Sequence, residues 1–84
     1  MNDTYSKIPS KVRLNENICP NAKLLYGVIY LLSLKEGFCY ASNNCLSSNI
    51  NVSVRTITRL LKELKNENLI RIEYTDKCIR KIYI

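Results

Sequence analysis

At 84 residues, 46% of them hydrophobic and 24% charged, the chain has the balance of one small globular domain with a modest core. Lys and Arg number 13 against 7 Asp and Glu, giving +6 and a pI near 9.3, which favours nucleic acid or an anionic surface over an acidic partner. Histidine is absent, the 2 glycines cannot build a phosphate-cradling loop, and no carboxylates pair in a catalytic pattern, so an enzyme is not expected.

The first residues, MNDTYSK, lack the basic and apolar run of a signal peptide, and the apolar run from Leu24 to Leu32 is too short to span a bilayer. A cytoplasmic protein without a membrane partner is expected. Cys19, Cys39, Cys45 and Cys78 never approach CxxC spacing, so neither a metal nor a cofactor is expected, and the thiols should be small buried hydrophobes in a reducing cell. Cys45 in particular is expected to face the core.

Taken in order, residues 1–14 read as an extended arm, because Pro9 fixes its backbone and Val12 and Leu14 alternate with charges. A first helix is expected over residues 20–36. Pro20 stands near its first position, where a missing N–H costs nothing, and Gly37 suits a left-handed cap. The helix is apolar nearly all round, more than a small domain can cover, so a homodimer through this helix is expected, with Lys23, Tyr26 and Tyr30 as interface candidates, the two tyrosines reading equally as core or half-buried packing. Phe38 to Ala41 is a brief extended piece.

Residues 42–67 then read as two helices joined by a tight turn at Ile50–Val52. Ser42 can cap the first, with Leu46 and Ile50 buried; Ser53 can cap the second, in which Val54, Ile57, Leu60, Leu61 and Leu64 recur at helical spacing. At about 100° per residue those five share an arc of roughly 120°, while Arg55, Arg59, Lys62 and Asn66 fall together away from it. Thr58 and Lys65 lie at that stripe's margin, and Glu63 and Glu67 occupy the remaining sector. A positive edge sorted in this way suits a polyanion.

From Leu69 the period changes to two, and Ile70, Ile72 and Tyr74 alternate with Arg71 and Glu73. A loop at Thr75-Asp76-Lys77 would put Cys78, Arg80, Ile82 and Ile84 on the same face as Ile70, Ile72 and Tyr74. The fold expected is mainly α with a small β-hairpin (α+β), a single winged helix-turn-helix domain over residues 1–84 with its wing at 69–84. Its expected core is Leu24, Leu25, Val28, Leu31, Leu46, Ile57, Leu60, Leu61, Leu64, Ile70 and Ile72.

From about Ile8 to Ile84 the chain resembles the winged helix-turn-helix modules at the N-termini of plasmid replication initiators and of phage replisome-organiser, DnaD-like proteins. The stretches that carry the likeness are Pro20-Asn21-Ala22-Lys23-Leu24-Leu25-Tyr26, Cys39-Tyr40-Ala41-Ser42-Asn43, Val52-Ser53-Val54-Arg55-Thr56-Ile57 and Leu69-Ile70. The last two occur in many bacterial winged helices and specify fold more than role. The resemblance implies double-stranded origin DNA as partner, with the helix from Ser53 in the major groove and the hairpin along the backbone. In that family a separate C-terminal module commonly follows.

A recognition helix enters the groove N-terminal end first, so Arg55, Thr56, Thr58 and Arg59 are the candidates for base edges. Ser53 starts that helix, Lys62 and Lys65 lie further along toward phosphates, and Ser42 and Asn43 can offer backbone N–H groups to a phosphate. Lys77, Arg80 and Lys81 are the wing's positive charges. Transcriptional regulation and a protein-interaction or dimerisation module stand beside replication initiation as alternatives, and no small-molecule substrate is expected.

Overall fold

The computed structural model describes residues 12, 14–75 and 79–84, which form three helices and a two-stranded antiparallel hairpin. Helix α1 is Pro20–Ser33, α2 is Asn43–Ile50 and α3 is Val54–Asn66; strands β1 and β2 are Arg71–Tyr74 and Arg80–Tyr83. With its helix-turn-helix followed by a hairpin, the fold is the winged helix-turn-helix, mainly α.

Local chemistry sets each boundary. Pro20 opens α1; the helix closes at Ser33, shorter than the expected 20–36, and Gly37 follows at φ 82°, its N–H donating to the Ser33 carbonyl at 2.8 Å. A left-handed residue there suits glycine, which has no Cβ to clash. The Ser42 side chain caps α2 by accepting from the Cys45 N–H, and Ser53 caps α3 by accepting from the Thr56 N–H, each at 3.1 Å. Between these helices Asn51 turns the chain in the left-handed region at φ 56°, a conformation Asn tolerates better than most residues. Asn68 repeats the device after α3 at φ 59°.

The core is drawn from all three helices and from the wing region. Ala22, Leu25, Tyr26 and Ile29 of α1 meet Leu46 and Ile50 of α2, Ile57, Leu60, Leu61 and Leu64 of α3, and Ile70 and Ile82 of the wing region. Two expectations change here. Leu31 is 36% exposed, because it lies nine positions after Ala22 and therefore half a turn away from the buried face of α1. Tyr26 is 1% exposed and belongs to the core, so it is not an open interface residue. Leu24, Val28 and Ile72 pack at the margin of the core.

The hairpin pairs Ile72 with Ile82 and Tyr74 with Arg80, so the expected faces hold, although the register lies two residues beyond the one expected from a loop at Thr75-Asp76-Lys77. The cause is local: the Thr75 N–H donates to the Ile79 carbonyl at 3.0 Å and the Ile79 N–H to Thr75 Oγ1 at 3.2 Å, which extends the pairing past Tyr74. Cys39 adds a third edge, exchanging two 2.8 Å backbone hydrogen bonds with Ile82, so that β2 runs between β1 and Cys39.

Of the expected arm, only Val12 and Leu14 are described. Val12 is helical and fully buried, and its carbonyl accepts from the Asn15 N–H at 3.2 Å, so this end of the arm is turned rather than extended. Lys77 and Cys78 lie outside the described residues. Among the described residues no helix is long and apolar enough to cross a membrane.

Candidate nucleic-acid interface

Four apolar positions of α3, Ile57, Leu60, Leu61 and Leu64, are buried, and they fix which edge of the helix points outward. Arg55, Arg59, Lys62, Lys65 and Asn66 are exposed on the remainder. Among the described residues none of the four cations has a hydrogen-bond or ion-pair partner, so their charge is free to meet a ligand.

The acidic side chains near this helix are turned elsewhere. Glu63 Oε1 accepts from the Cys19 N–H at 2.7 Å and Oε2 lies 3.7 Å from the Cys19 thiol, which places a carboxylate at the N-terminus of α1, where the helix dipole favours it. Glu67 Oε1 accepts from the side-chain amides of Asn15 at 3.3 Å and Asn17 at 3.4 Å. Both acids therefore bind the turn ahead of α1 and leave the outer edge of α3 positive.

A cleft of about 400 Å³ opens between α3 and the wing, lined by Asn43, Thr58, Leu61, Lys62, Lys65, Asn66, Ile72, Tyr74 and Arg80. Leu61 and Ile72 supply apolar surface there, while the two lysines and Arg80 make the cleft positive. Tyr74, 70% exposed, was not among the sequence candidates, yet strand alternation puts it on the same face as Ile72, which could have singled it out.

Several candidates have structural partners of their own. Ser53 Oγ lies 2.9 Å from Thr56 Oγ1 within the cap, so both hydroxyls are engaged. Thr58 Oγ1 donates to the Val54 carbonyl at 3.3 Å and accepts from Asn43 Nδ2 at 3.4 Å. Arg80 is half-buried, donating from Nη1 to Asn43 Oδ1 at 2.6 Å and from Nη2 to the Ala41 carbonyl at 2.7 Å. Ser42 and Asn43 occupy the start of α2, with the Ser42 side chain spent on its cap.

Lys81 does not join the cleft. By alternation it lies on the opposite face of the hairpin with Arg71 and Tyr83, and its ammonium sits 4.6 Å from the centre of the Phe38 ring. On the same face Arg71 lies 4.5 Å over the Tyr83 ring and pairs with Glu73 at 3.2 Å. Lys23 and Tyr30 are half-buried on α1.

The cysteines divide by position. Cys39 is fully buried; burial pushes its thiol above the ordinary range, while the Ala41 backbone hydrogen bond and then the Arg80 charge pull it down. Cys19 is half-buried, and Cys45 is exposed, contrary to the expected core position, because Leu46 and Ile50 are the residues of α2 that face inward. Among the described residues no three His, Cys, Asp or Glu side chains gather where a metal could bind.

Neither the curated proteins nor the solved structures contain a match to the chain. Residues 16–70, more than half of its 84, match the family model described as "Helix-turn-helix domain", a match that supports DNA binding in general. They run from the turn ahead of α1 through the capped pair α2 and α3 to the entry of the wing, so the chain belongs to the helix-turn-helix domain family.

Proposed function

We propose that this protein binds duplex DNA sequence-specifically during initiation of plasmid or phage DNA replication. In this reading the N-terminal half of α3 lies in the major groove, and one strand of the duplex follows the cleft between α3 and the wing. The observation that carries it is the exposed and unpaired set Arg55, Arg59, Lys62 and Lys65 on α3, with Glu63 and Glu67 turned away from it. Arg55 and Arg59 meet base edges, where a guanidinium can grip guanine through two hydrogen bonds. Lys62 and Lys65 meet phosphates, as do the first backbone N–H groups of α2 at Asn43. The assignment to replication rather than transcription rests on the resemblance of the stretches around Pro20 and Cys39 to the initiator modules. No catalysis is involved, in keeping with a chain that has no histidine, and the cytoplasm is its place of action.

A site selected from a random library provides the test. Arg59→Ala should lose roughly 1–3 kcal/mol of affinity for that site and relax preference at one base position, while binding to random duplex weakens far less. Equal losses on both DNAs would make α3 a nonspecific clamp, and no loss on either would argue for an interaction module.

Self-association is a second proposal, favoured by the end of α1, where Leu31, Leu32 and Leu34 are 36%, 40% and 61% exposed. A dimer would let two α3 helices read two half-sites. Sedimentation that gives a monomer at every accessible concentration would remove it.

A further inference from the structure

Arg80 reads from the sequence as a wing cation available to phosphate, yet both terminal nitrogens of its guanidinium are already engaged by the protein. Nη1 holds Asn43 Oδ1 at 2.6 Å at the start of α2, and Nη2 holds the Ala41 carbonyl at 2.7 Å just before it. Asn43 passes the link onward, its Nδ2 donating to Thr58 Oγ1 at 3.4 Å, and that hydroxyl donates to Val54 in the first turn of α3 at 3.3 Å. A chain of side chains thus joins β2, α2 and α3 across one wall of the cleft.

We infer that Arg80 is a positioning residue, which fixes the wing against α2 and α3 and so sets the width of the cleft, without itself serving as a phosphate contact. The inference rests on the DNA-binding reading above. Three physical points support it. A two-stranded hairpin is only marginally stable alone, so its angle to the helices must be set by contacts of this kind. The planar fork of arginine can hold two acceptors in fixed geometry, whereas the single ammonium of lysine cannot reproduce it. The acceptors are the Ala41 carbonyl and the Asn43 amide oxygen, which take one N–H from each terminal nitrogen and turn the fork toward the start of α2 rather than toward a phosphate.

The test compares Arg80→Ala and Arg80→Lys with the parent in binding to a random-sequence duplex over a range of salt. A positioning role predicts that both variants bind roughly five- to tenfold more weakly and that both keep the parent's slope of log K against log salt. A direct phosphate contact predicts the reverse, a slope about one unit shallower for Arg80→Ala and restored by Arg80→Lys, and would overturn the inference. Amide spectra of ¹⁵N-labelled Arg80→Lys without DNA give an independent readout, and this variant decides the matter if Arg80→Ala does not fold. Shifts should reach the Asn43 side-chain amide and the Thr58 and Val54 backbone amides; shifts confined to β2 and its loop would refute the relay. If the parent binds no duplex at any salt, the DNA reading falls and the task assigned to Arg80 falls with it, whereas the spectra still report whether the relay exists.

Discussion

Replacing Glu63 tests the contact that ties α3 to the residue just ahead of α1. Its carboxylate accepts from the Cys19 N–H at 2.7 Å, a short charge-assisted bond made just ahead of Pro20, the first residue of α1. Such a bond contributes about 1.5–3 kcal/mol, and a carboxylate at a helix N-terminus about 0.3–1 kcal/mol more. Cys19 and Glu63 are only half-buried, so water recovers part of the orphaned donor's loss and the lower part of the range applies, about 2 kcal/mol for Glu63→Ala. For a domain of this size that corresponds to a fall in Tm of roughly 8–16 °C. Glu63→Gln keeps an acceptor and loses the charge, and should lie about midway. Glu67→Ala, which removes only two bonds of 3.3 and 3.4 Å to Asn15 and Asn17, should cost less than either. Thermal unfolding followed by circular dichroism, without DNA, gives all three values. A Glu63→Ala melt within about 2 °C of the parent would refute the reasoning.

Leu61→Ala should cost roughly 2–3 kcal/mol in urea unfolding, the low end for such a truncation, because Leu61 is 5% exposed and borders the open cleft; an unchanged midpoint would mean that another face of α3 is buried. Peptide mapping after thiol labelling of the folded protein should find exposed Cys45 modified rapidly and fully buried Cys39 modified only as the domain unfolds; equal rates would contradict the packing. Burial raises the folded-state pKa of both Cys39 and Tyr26, so the stability they confer is whole at neutral pH and declines as pH climbs past their ordinary values of 9.0 and 10.0. A urea midpoint that rises between neutral and strongly alkaline pH would show the opposite sign.

The parts of the fold legible in the sequence are those whose determinants are local. Ser42 and Ser53 announce their helices because a cap acts within three residues, and the apolar spacing of α3 assigns its buried and positive faces. The hairpin's inward face followed from alternation, but its register depended on hydrogen bonds between Thr75 and Ile79 that residue types alone do not specify. Helix α1 misled for a different reason: apolar on nearly every side, it carries little information about which side is buried, so Leu31 was expected in the core and Tyr26 could be read either as core or as interface. The candidate site divides in the same way. Arg55, Arg59 and Lys62 could be placed from the helical period, whereas Arg80 was read as a free charge because its partners Asn43 and Ala41 stand 37 and 39 residues away. Glu63, bonded across 44 residues to Cys19, escaped for the same reason.

The central claim, that the outer edge of α3 is a polyanion-binding surface, is tested most directly by titrating salt against binding to random duplex DNA. With Arg55, Arg59, Lys62 and Lys65 as the cations available on α3, log K should fall linearly with log salt, with a slope between about −2 and −4. The combined charge-neutral variant of those four residues should lose nearly all of that dependence. A parent that fails to bind at low salt, or that binds with a slope shallower than about −1, would contradict the account.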